Sequence, residues 1–161
     1  MMPLPLRSSP GSLARGDECA CALARLIGNL RGFVYRRQHD RSWTMEFVSS
    51  GCRDLTGYDP HRFIRNESVA FAELIAPADR ERVDAVIRSA VRHRSRATVD
   101  YFIRAAHGLW VNIEDRFTPV FDAAGRLVAI EGVIDRADGE ARTVARPAST
   151  GERRVPPLRS V

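Results

Sequence analysis

The chain has 161 residues, of which 44% are hydrophobic, so it is long enough to bury the core of one domain. Its formal net charge is +5 at pH 7 and it contains no lysine, which excludes a lysine Schiff base and a P-loop phosphate site. No apolar run reaches the roughly 18 to 20 residues of a membrane-spanning helix, and the first 16 residues lack the apolar centre of a secretory signal.

The surplus of positive charge lies mainly at the two ends of the chain. Residues 1–16 and residues 137–161 each carry +2, whereas residues 17–136 carry only +1. Both ends are rich in Pro, Ser, Gly and Arg, so we expect a disordered N-terminal arm and a disordered basic C-terminal tail around a domain at 17–136. A nucleic-acid-binding domain concentrates its basic charge on one folded surface, so this distribution disfavours nucleic acid as a partner.

Residues 17–30 predict an amphipathic helix at the start of the domain. Leu23, Ile27 and Leu30 fall on one face of it. We expect this apolar stripe either to cover the sheet or to contact a partner protein or a second copy of the chain. It is therefore the predicted dimer or partner surface.

The three cysteines indicate a reduced, cytoplasmic protein, since an odd, small number does not make a disulfide framework. They are Cys19, Cys21 and Cys52. Cys19 and Cys21 lie two residues apart on a helix and therefore point to nearly opposite sides, so they cannot share a metal ion. We predict no metal site.

A hairpin and two short helices follow in the sequence. The runs at 32–38 and 42–50 read as strands joined by a short polar turn. Ser49 or Ser50 is expected to cap a helix that Gly57 ends in the left-handed conformation. Asp59 and Pro60 then predict the start of a second short helix.

The second half predicts one long helix and three strands. The helix is expected at 77–95, opened by Pro77, and the strands at 97–105, 109–120 and 126–136. Two strands, then helices, then three strands predict an α+β fold with a five-stranded antiparallel sheet and helices packed on one face.

These residues resemble the PAS domain, in the subgroup of bacterial sensor modules known as PAS fold-3. The resemblance covers about residues 30–136, and no single motif in it is specific, but all occur in the order and spacing of the family. The matching stretches are GFVYR at 32–36, FVSSGCRDLTGYDP at 47–60, LIAPADRERV at 74–83, DYFIRAAHGLWV at 100–111 and DAAGRLVAIEGVIDR at 122–136. Two departures stand out: Ala76 replaces the histidine often found before Pro77, and Arg136 and Ala137 follow Asp135 where the family often has Ile and Thr.

The resemblance implies a ligand pocket between the inner face of the sheet and the short helices. Asp135 is the residue that the family pattern implies in coupling to an effector. The residues expected to line the pocket are Phe33, Tyr35, Phe47, Leu55, Phe63, Phe71, Leu74, Ile87, Tyr101, Ile103, Ile130 and Gly132. Apolar residues at strand spacing are also typical of an ordinary core, so both interpretations stay open.

Two cofactors of the family are disfavoured, and the cofactor stays unknown. Adduct-forming flavin in the light-oxygen-voltage branch needs a cysteine after the GY segment, but RFIRNESVAFAEL at 62–74 contains none. Haem needs an axial ligand, and His93 lies among arginines off the apolar stripe of its helix. We also predict no enzyme activity, since Glu114 and Asp115 are adjacent on a strand and point to opposite faces.

Three functional hypotheses follow. The favoured one is a stand-alone sensory module that binds a small apolar or aromatic ligand and signals through protein contacts. The alternative is a ligand-free adaptor that works by dimerisation or by binding a partner signalling protein. The third, binding of nucleic acid or a membrane surface through the arginine-rich ends, is the least favoured.

Overall fold

The computed structural model describes residues 11–137, with side chains described from residue 17 onward. Most of the predicted arm and tail, at 1–10 and 138–161, therefore lies outside the described residues. In chain order the elements are helix α1 (Gly11–Gly28), strands β1 (Phe33–Arg37) and β2 (Met45–Val48), helix α2 (Cys52–Thr56), a 3₁₀ turn (Pro60–Arg62), helices α3 (Phe71–Leu74) and α4 (Pro77–His93), and strands β3 (Ala97–Arg104), β4 (Trp110–Phe121) and β5 (Leu127–Arg136).

The five strands form one antiparallel sheet in the order β2-β1-β5-β4-β3, which confirms the predicted fold class. The last strand in sequence is central and joins the first hairpin to the β3–β4 pair. Its register places Gly132 opposite both Tyr35 of β1 and Phe117 of β4. This register brings residues from distant parts of the sequence to one inner face.

Side chains alternate between the two faces along β1 and β3, as strand geometry requires, whereas β2 departs from this pattern at a register irregularity. On β1, Phe33, Tyr35 and Arg37 are buried on the inner face, which the helices cover. Helix α4 buries Val83, Ile87 and Ala90 on one side, as its periodicity predicts. The inner face and the helices therefore enclose a single core.

Several element ends differ from the sequence-based expectations. Helix α1 begins at Gly11, six residues before the expected start at 17, and ends at Gly28 instead of 30. Neither Ser49 nor Ser50 caps α2; its N-cap is Gly51, while the Ser49 hydroxyl accepts a hydrogen bond of 3.1 Å from the Val34 N–H. Gly57 does end α2 with a φ of 76°, as predicted.

The described helices include none that is both long and apolar enough to cross a bilayer. Helix α1 is the longest of them, with 18 residues. Its sequence mixes small, charged and apolar residues instead of forming the continuous apolar segment that a bilayer requires.

Candidate functional site

A buried carboxylate joins three strands on the inner face of the sheet. Asp115 of β4 is fully buried, and its two oxygens accept hydrogen bonds from two tyrosine hydroxyls. Tyr35 of β1 donates at 2.9 Å, and Tyr101 of β3 donates at 3.1 Å. Buried polar groups of this kind fix the geometry of a core because each partner must be in place.

A buried cation lies close to this carboxylate. Arg37, in phase with Tyr35 on β1, is only 1% exposed. Its Nη1 donates to the Gln38 carbonyl at 3.0 Å. Its Nε and Nη2 have no hydrogen-bond partner within 3.5 Å among the described residues, although the guanidinium lies near enough to the Tyr35 hydroxyl to oppose the rise in the pKa of that group. We call Tyr35, Arg37, Tyr101 and Asp115 the inner polar cluster.

Burial shifts the pKa values of this cluster. Desolvation raises the pKa of Asp115 to about 6, although the Tyr35 hydrogen bond and the charge of Arg37 act in the opposite direction. The pKa values of Tyr35 and Tyr101 are raised well above their usual range, mainly by burial and then by the negative charge of Asp115. Both tyrosines therefore stay protonated and able to donate at neutral pH.

Trp43 forms the wall between the inner polar cluster and the surface. The Arg37 guanidinium carbon lies 3.8 Å from the centroid of the Trp43 ring, a cation–π geometry. The same ring stacks on Phe71 and meets Tyr101 edge-on. Trp43 has a φ of 53°, a left-handed conformation that is unusual for a bulky residue. Such backbone strain is concentrated at functional sites.

Two clefts open on the outer side of Trp43. One has a volume of about 220 Å³ and lies toward α3; the other has a volume of about 620 Å³ and lies toward α4. Trp43, Arg41 and Asp84 line both clefts. The larger cleft also includes His39, whose pKa is lowered by desolvation and by the charge of Arg37.

The structure brings most of the predicted pocket residues into one buried region. Gly132 lies in β5 with its backbone against the Tyr35 ring, and Ile87 also lines the larger cleft. The predicted residues that are buried in the core are Phe33, Tyr35, Leu55, Phe63, Phe71, Leu74, Ile87, Tyr101, Ile103 and Ile130. That they contact a ligand stays a prediction.

Phe47 does not lie with the other predicted pocket residues. It is 47% exposed and sits directly opposite Arg36, on the outer face of the sheet. The resemblance had implied a place in the pocket, but in β2 both Met45 and Val48 are buried and Phe47 is turned outward. A register irregularity between Arg36 and Arg37 accompanies this placement.

Sequence reasoning missed Arg37, Trp43 and Asp115. The alternation that places Phe33 and Tyr35 inside also places Arg37 inside, and Ile113 and Phe117 do the same for Asp115. A charged residue in phase with buried neighbours was the available signal. Trp43 falls in the run at 42–50 that the sequence predicts as a strand, where alternation with Met45 was a signal for its burial, but the structure places it in the loop before β2.

The outer surface of the domain carries a second set of apolar side chains. Leu23, Leu26 and Leu30 are exposed, at 56%, 65% and 41%, and Ile27 is half-buried. Phe47 adds an exposed aromatic ring on the outer sheet face. The predicted coupling residue, Asp135, lies on this face too and pairs with Arg116 at 3.2 Å.

Two side chains that the sequence offered as cofactor ligands, Cys52 and His93, lie outside the inner polar cluster. Cys52 is buried in α2, where desolvation raises the pKa of its thiol to about 12. His93 is exposed and contacts the Ser89 carbonyl at 2.9 Å. Within residues 17–137, histidine, cysteine and acidic side chains do not group into a set that could hold a metal ion.

Comparisons with protein families and with solved structures agree with this fold. The family model described as PAS fold matches residues 45–134. The PAS domain of a protein from Colwellia psychrerythraea is 17% identical with a TM-score of 0.62, covering 74% of this chain and 97% of that one. A sensory box histidine kinase/response regulator from Burkholderia thailandensis is 22% identical with a TM-score of 0.57, covering 71% and 82%. No curated protein matches the sequence.

Proposed function

This chain belongs to the PAS fold family, and on that premise we propose that it senses a small ligand bound between its sheet and its helices. PAS domains are sensory modules of signal transduction. In this proposal the ligand occupies the region around the inner polar cluster, and its presence changes the contacts that the domain makes with another protein. The fold alone does not carry this proposal, because one fold hosts many functions.

The observation that carries the proposal is the inner polar cluster itself. A guanidinium and a carboxylate are buried in a core that an apolar pair would fill at lower cost in solvation free energy. The two tyrosine hydroxyls hold the carboxylate, whereas two of the guanidinium nitrogens remain without a partner among the described residues. An expensive and incompletely paired polar group in a core is typical of a binding site.

The position of the inner polar cluster would allow a change in the core to reach the outer face of the sheet. Its members lie on β1, β3 and β4, so a shift of Asp115 or Tyr35 moves three strands of one sheet. The outer face of the same sheet carries Phe47 of β2 and the pair that Arg116 of β4 forms with Asp135 of β5. Occupancy of the core would thereby alter the surface that a partner contacts.

Native mass spectrometry and absorbance of the freshly purified full chain test this proposal. We expect an added mass that denaturation releases, or a member of a small-molecule library that raises the melting temperature in proportion to the logarithm of its concentration. The proposal is wrong if no mass co-purifies and no compound in the library changes the melting temperature.

A second candidate function is that of a ligand-free adaptor. The exposed leucines of α1 and the exposed ring of Phe47 support it, because apolar side chains grouped on a surface mark contact sites between proteins. In this case a second copy of the chain or a partner protein covers α1. The oligomeric state of variants in this stripe distinguishes it from the sensor, which requires no self-association.

A further inference from the structure

The unpaired edge of Arg37 identifies the chemical class of the ligand. Of the three guanidinium nitrogens, Nη1 is committed to the Gln38 carbonyl at 3.0 Å. The remaining two, Nε and Nη2, lie along one edge of the planar group and donate in parallel. That edge matches the two oxygens of a carboxylate, which it binds through two charge-assisted hydrogen bonds.

We propose, resting on the function proposed above, that the ligand is a small apolar monocarboxylic acid whose carboxylate is bound by the Nε and Nη2 edge of Arg37. No oxygen of the described residues accepts a hydrogen bond from this edge. Asp115 is the one buried acidic side chain among the described residues, and its oxygens already accept from Tyr35 and Tyr101. Leaving the guanidinium edge buried without an acceptor is costly, so an acceptor from outside binds there favourably.

In this proposal the ligand reaches Arg37 by passing Trp43. Arg37 is buried and does not line either cleft, whereas Trp43 lines both and contacts the guanidinium with its ring. Trp43 therefore separates the cation from the clefts. It belongs to the loop of residues 38–44, which is anchored at its end by hydrogen bonds from Thr44 to the Asp40 carboxylate. A change in the Trp43 side chain would connect the larger cleft to Arg37.

The side chains beside Arg37 favour an apolar body for the rest of the ligand, and the core disfavours a second negative charge. Trp43 and Ile87 provide apolar surface at the larger cleft, and Phe71 lies against the Trp43 ring. The charges of the larger cleft are balanced, with Asp40 and Asp84 beside Arg41 and Arg88, so the group that disfavours a second acid group near Arg37 is the buried carboxylate of Asp115. A monoacid with a hydrocarbon or aromatic body meets both requirements.

Matched pairs of acids and amides test the carboxylate directly on the full chain. The probes are benzoate with benzamide, phenylacetate with phenylacetamide, and hexanoate with hexanamide, titrated by isothermal calorimetry and by tryptophan fluorescence. Each pair keeps the shape and removes the charge. We expect at least one acid to bind at least about tenfold more tightly than its amide, since hydrogen bonds to charged groups exceed neutral ones by this margin.

Variants of adjacent arginines assign the effect to one side chain. Arg37→Met keeps an unbranched apolar stem and should lose the preference for the acid, whereas Arg36→Gln, on the outer face and paired with Glu46, should keep it. The inference is wrong if acid and amide bind equally, or if Arg37→Met binds the acid as wild type does; either result leaves the sensor function standing. Absence of binding by every probe also overturns the inference. The sensor function then falls only if native mass spectrometry also finds no released small molecule and no library compound changes the melting temperature.

Discussion

Tyr35 reaches Asp115 because its strand neighbour, Gly132, has no side chain. A Cβ atom at position 132 would lie 2.8 Å from the Tyr35 hydroxyl oxygen and 2.8 Å from the Arg116 carbonyl oxygen. Both distances are shorter than van der Waals contact allows. Gly132 therefore supports the inner polar cluster, because the absence of a side chain at position 132 leaves room for the Tyr35 ring.

Gly132→Ala is expected to destabilise the protein by about 1–3 kcal/mol, as overpacking of a tight core does. The added methyl group must displace either the Tyr35 ring or the Arg116 backbone. Urea unfolding followed by circular dichroism measures the loss. The matched control is Gly28→Ala, since a Cβ there meets no atom within 4 Å, and equal losses in the two variants would contradict the assignment.

The sequence predicts the strands around Gly132 well, but it does not predict the close contact between Gly132 and Tyr35. Strand alternation and turn residues are local signals, so the antiparallel sheet and the inward position of Tyr35 and Tyr101 follow from them. From the sequence, Gly132 is expected only among the residues that line the pocket, not as the residue that leaves room for the Tyr35 ring. The register that places it against Tyr35 depends on pairing between residues 97 positions apart, which one sequence does not specify.

The raised pKa of Asp115 predicts that stability falls as the pH rises. The folded-state pKa of about 6 exceeds the usual value of 3.8, so the folded protein holds the proton more tightly than the unfolded chain. The contribution of this group is therefore favourable below pH 4 and is lost between pH 4 and 6. The loss is about 3 kcal/mol.

Urea unfolding of wild type and Asp115→Asn between pH 4 and 7 measures this effect. From pH 4 to pH 7, the unfolding free energy of the wild type should fall by about 3 kcal/mol relative to that of Asp115→Asn. The titration of His39 contributes equally to both proteins and cancels in the difference. Asp135→Asn, which removes a half-buried acid on the outer face, should retain the wild-type fall. A difference that is independent of pH would show that Asp115 does not titrate in this range.

The position and backbone conformation of Trp43 are not predicted by local sequence patterns. The sequence predicts it within a strand at 42–50, whereas the structure places it in the loop before β2, with a left-handed backbone that tryptophan does not favour. Tertiary contacts with Arg37, Phe71 and Tyr101 hold it instead. The expected position of Phe47 also differs from the structure. An aromatic residue in a strand-like run is expected inside, but it lies outside when the register shifts.

Trp43→Ala is expected to cost about 3–5 kcal/mol of unfolding free energy, the range for a large buried aromatic side chain. Alanine in a left-handed conformation retains the backbone strain, so the loss measures packing. Trp110→Ala is the matched control, since that ring is half-buried on the outer face and should cost about 1 kcal/mol. Similar losses for the two would mean that Trp43 is not a core contact.

The three thiols should differ in reactivity. Cys19 and Cys21 are exposed, while Cys52 is buried and its pKa of about 12 leaves almost no thiolate at neutral pH. Ellman's reagent should therefore modify the first two rapidly and Cys52 only after unfolding. Mass spectrometry of the peptides assigns each site. Fast labelling of Cys52 in the folded protein would contradict the burial of α2.

The exposed leucines of α1 make a prediction about assembly. If α1 pairs with a second copy, replacing Leu23 and Leu26 by Asp should convert a dimer to a monomer in sedimentation velocity, because charged side chains are too costly to bury at an apolar contact. Leu109→Asp is the matched control, since Leu109 is equally exposed in the turn between β3 and β4 and should leave the dimer intact. A wild-type monomer at all concentrations would exclude self-association and leave only a different protein to cover α1. The same dimer in both variants would place the contact elsewhere on the domain, with the outer sheet face around Phe47 the next surface to substitute.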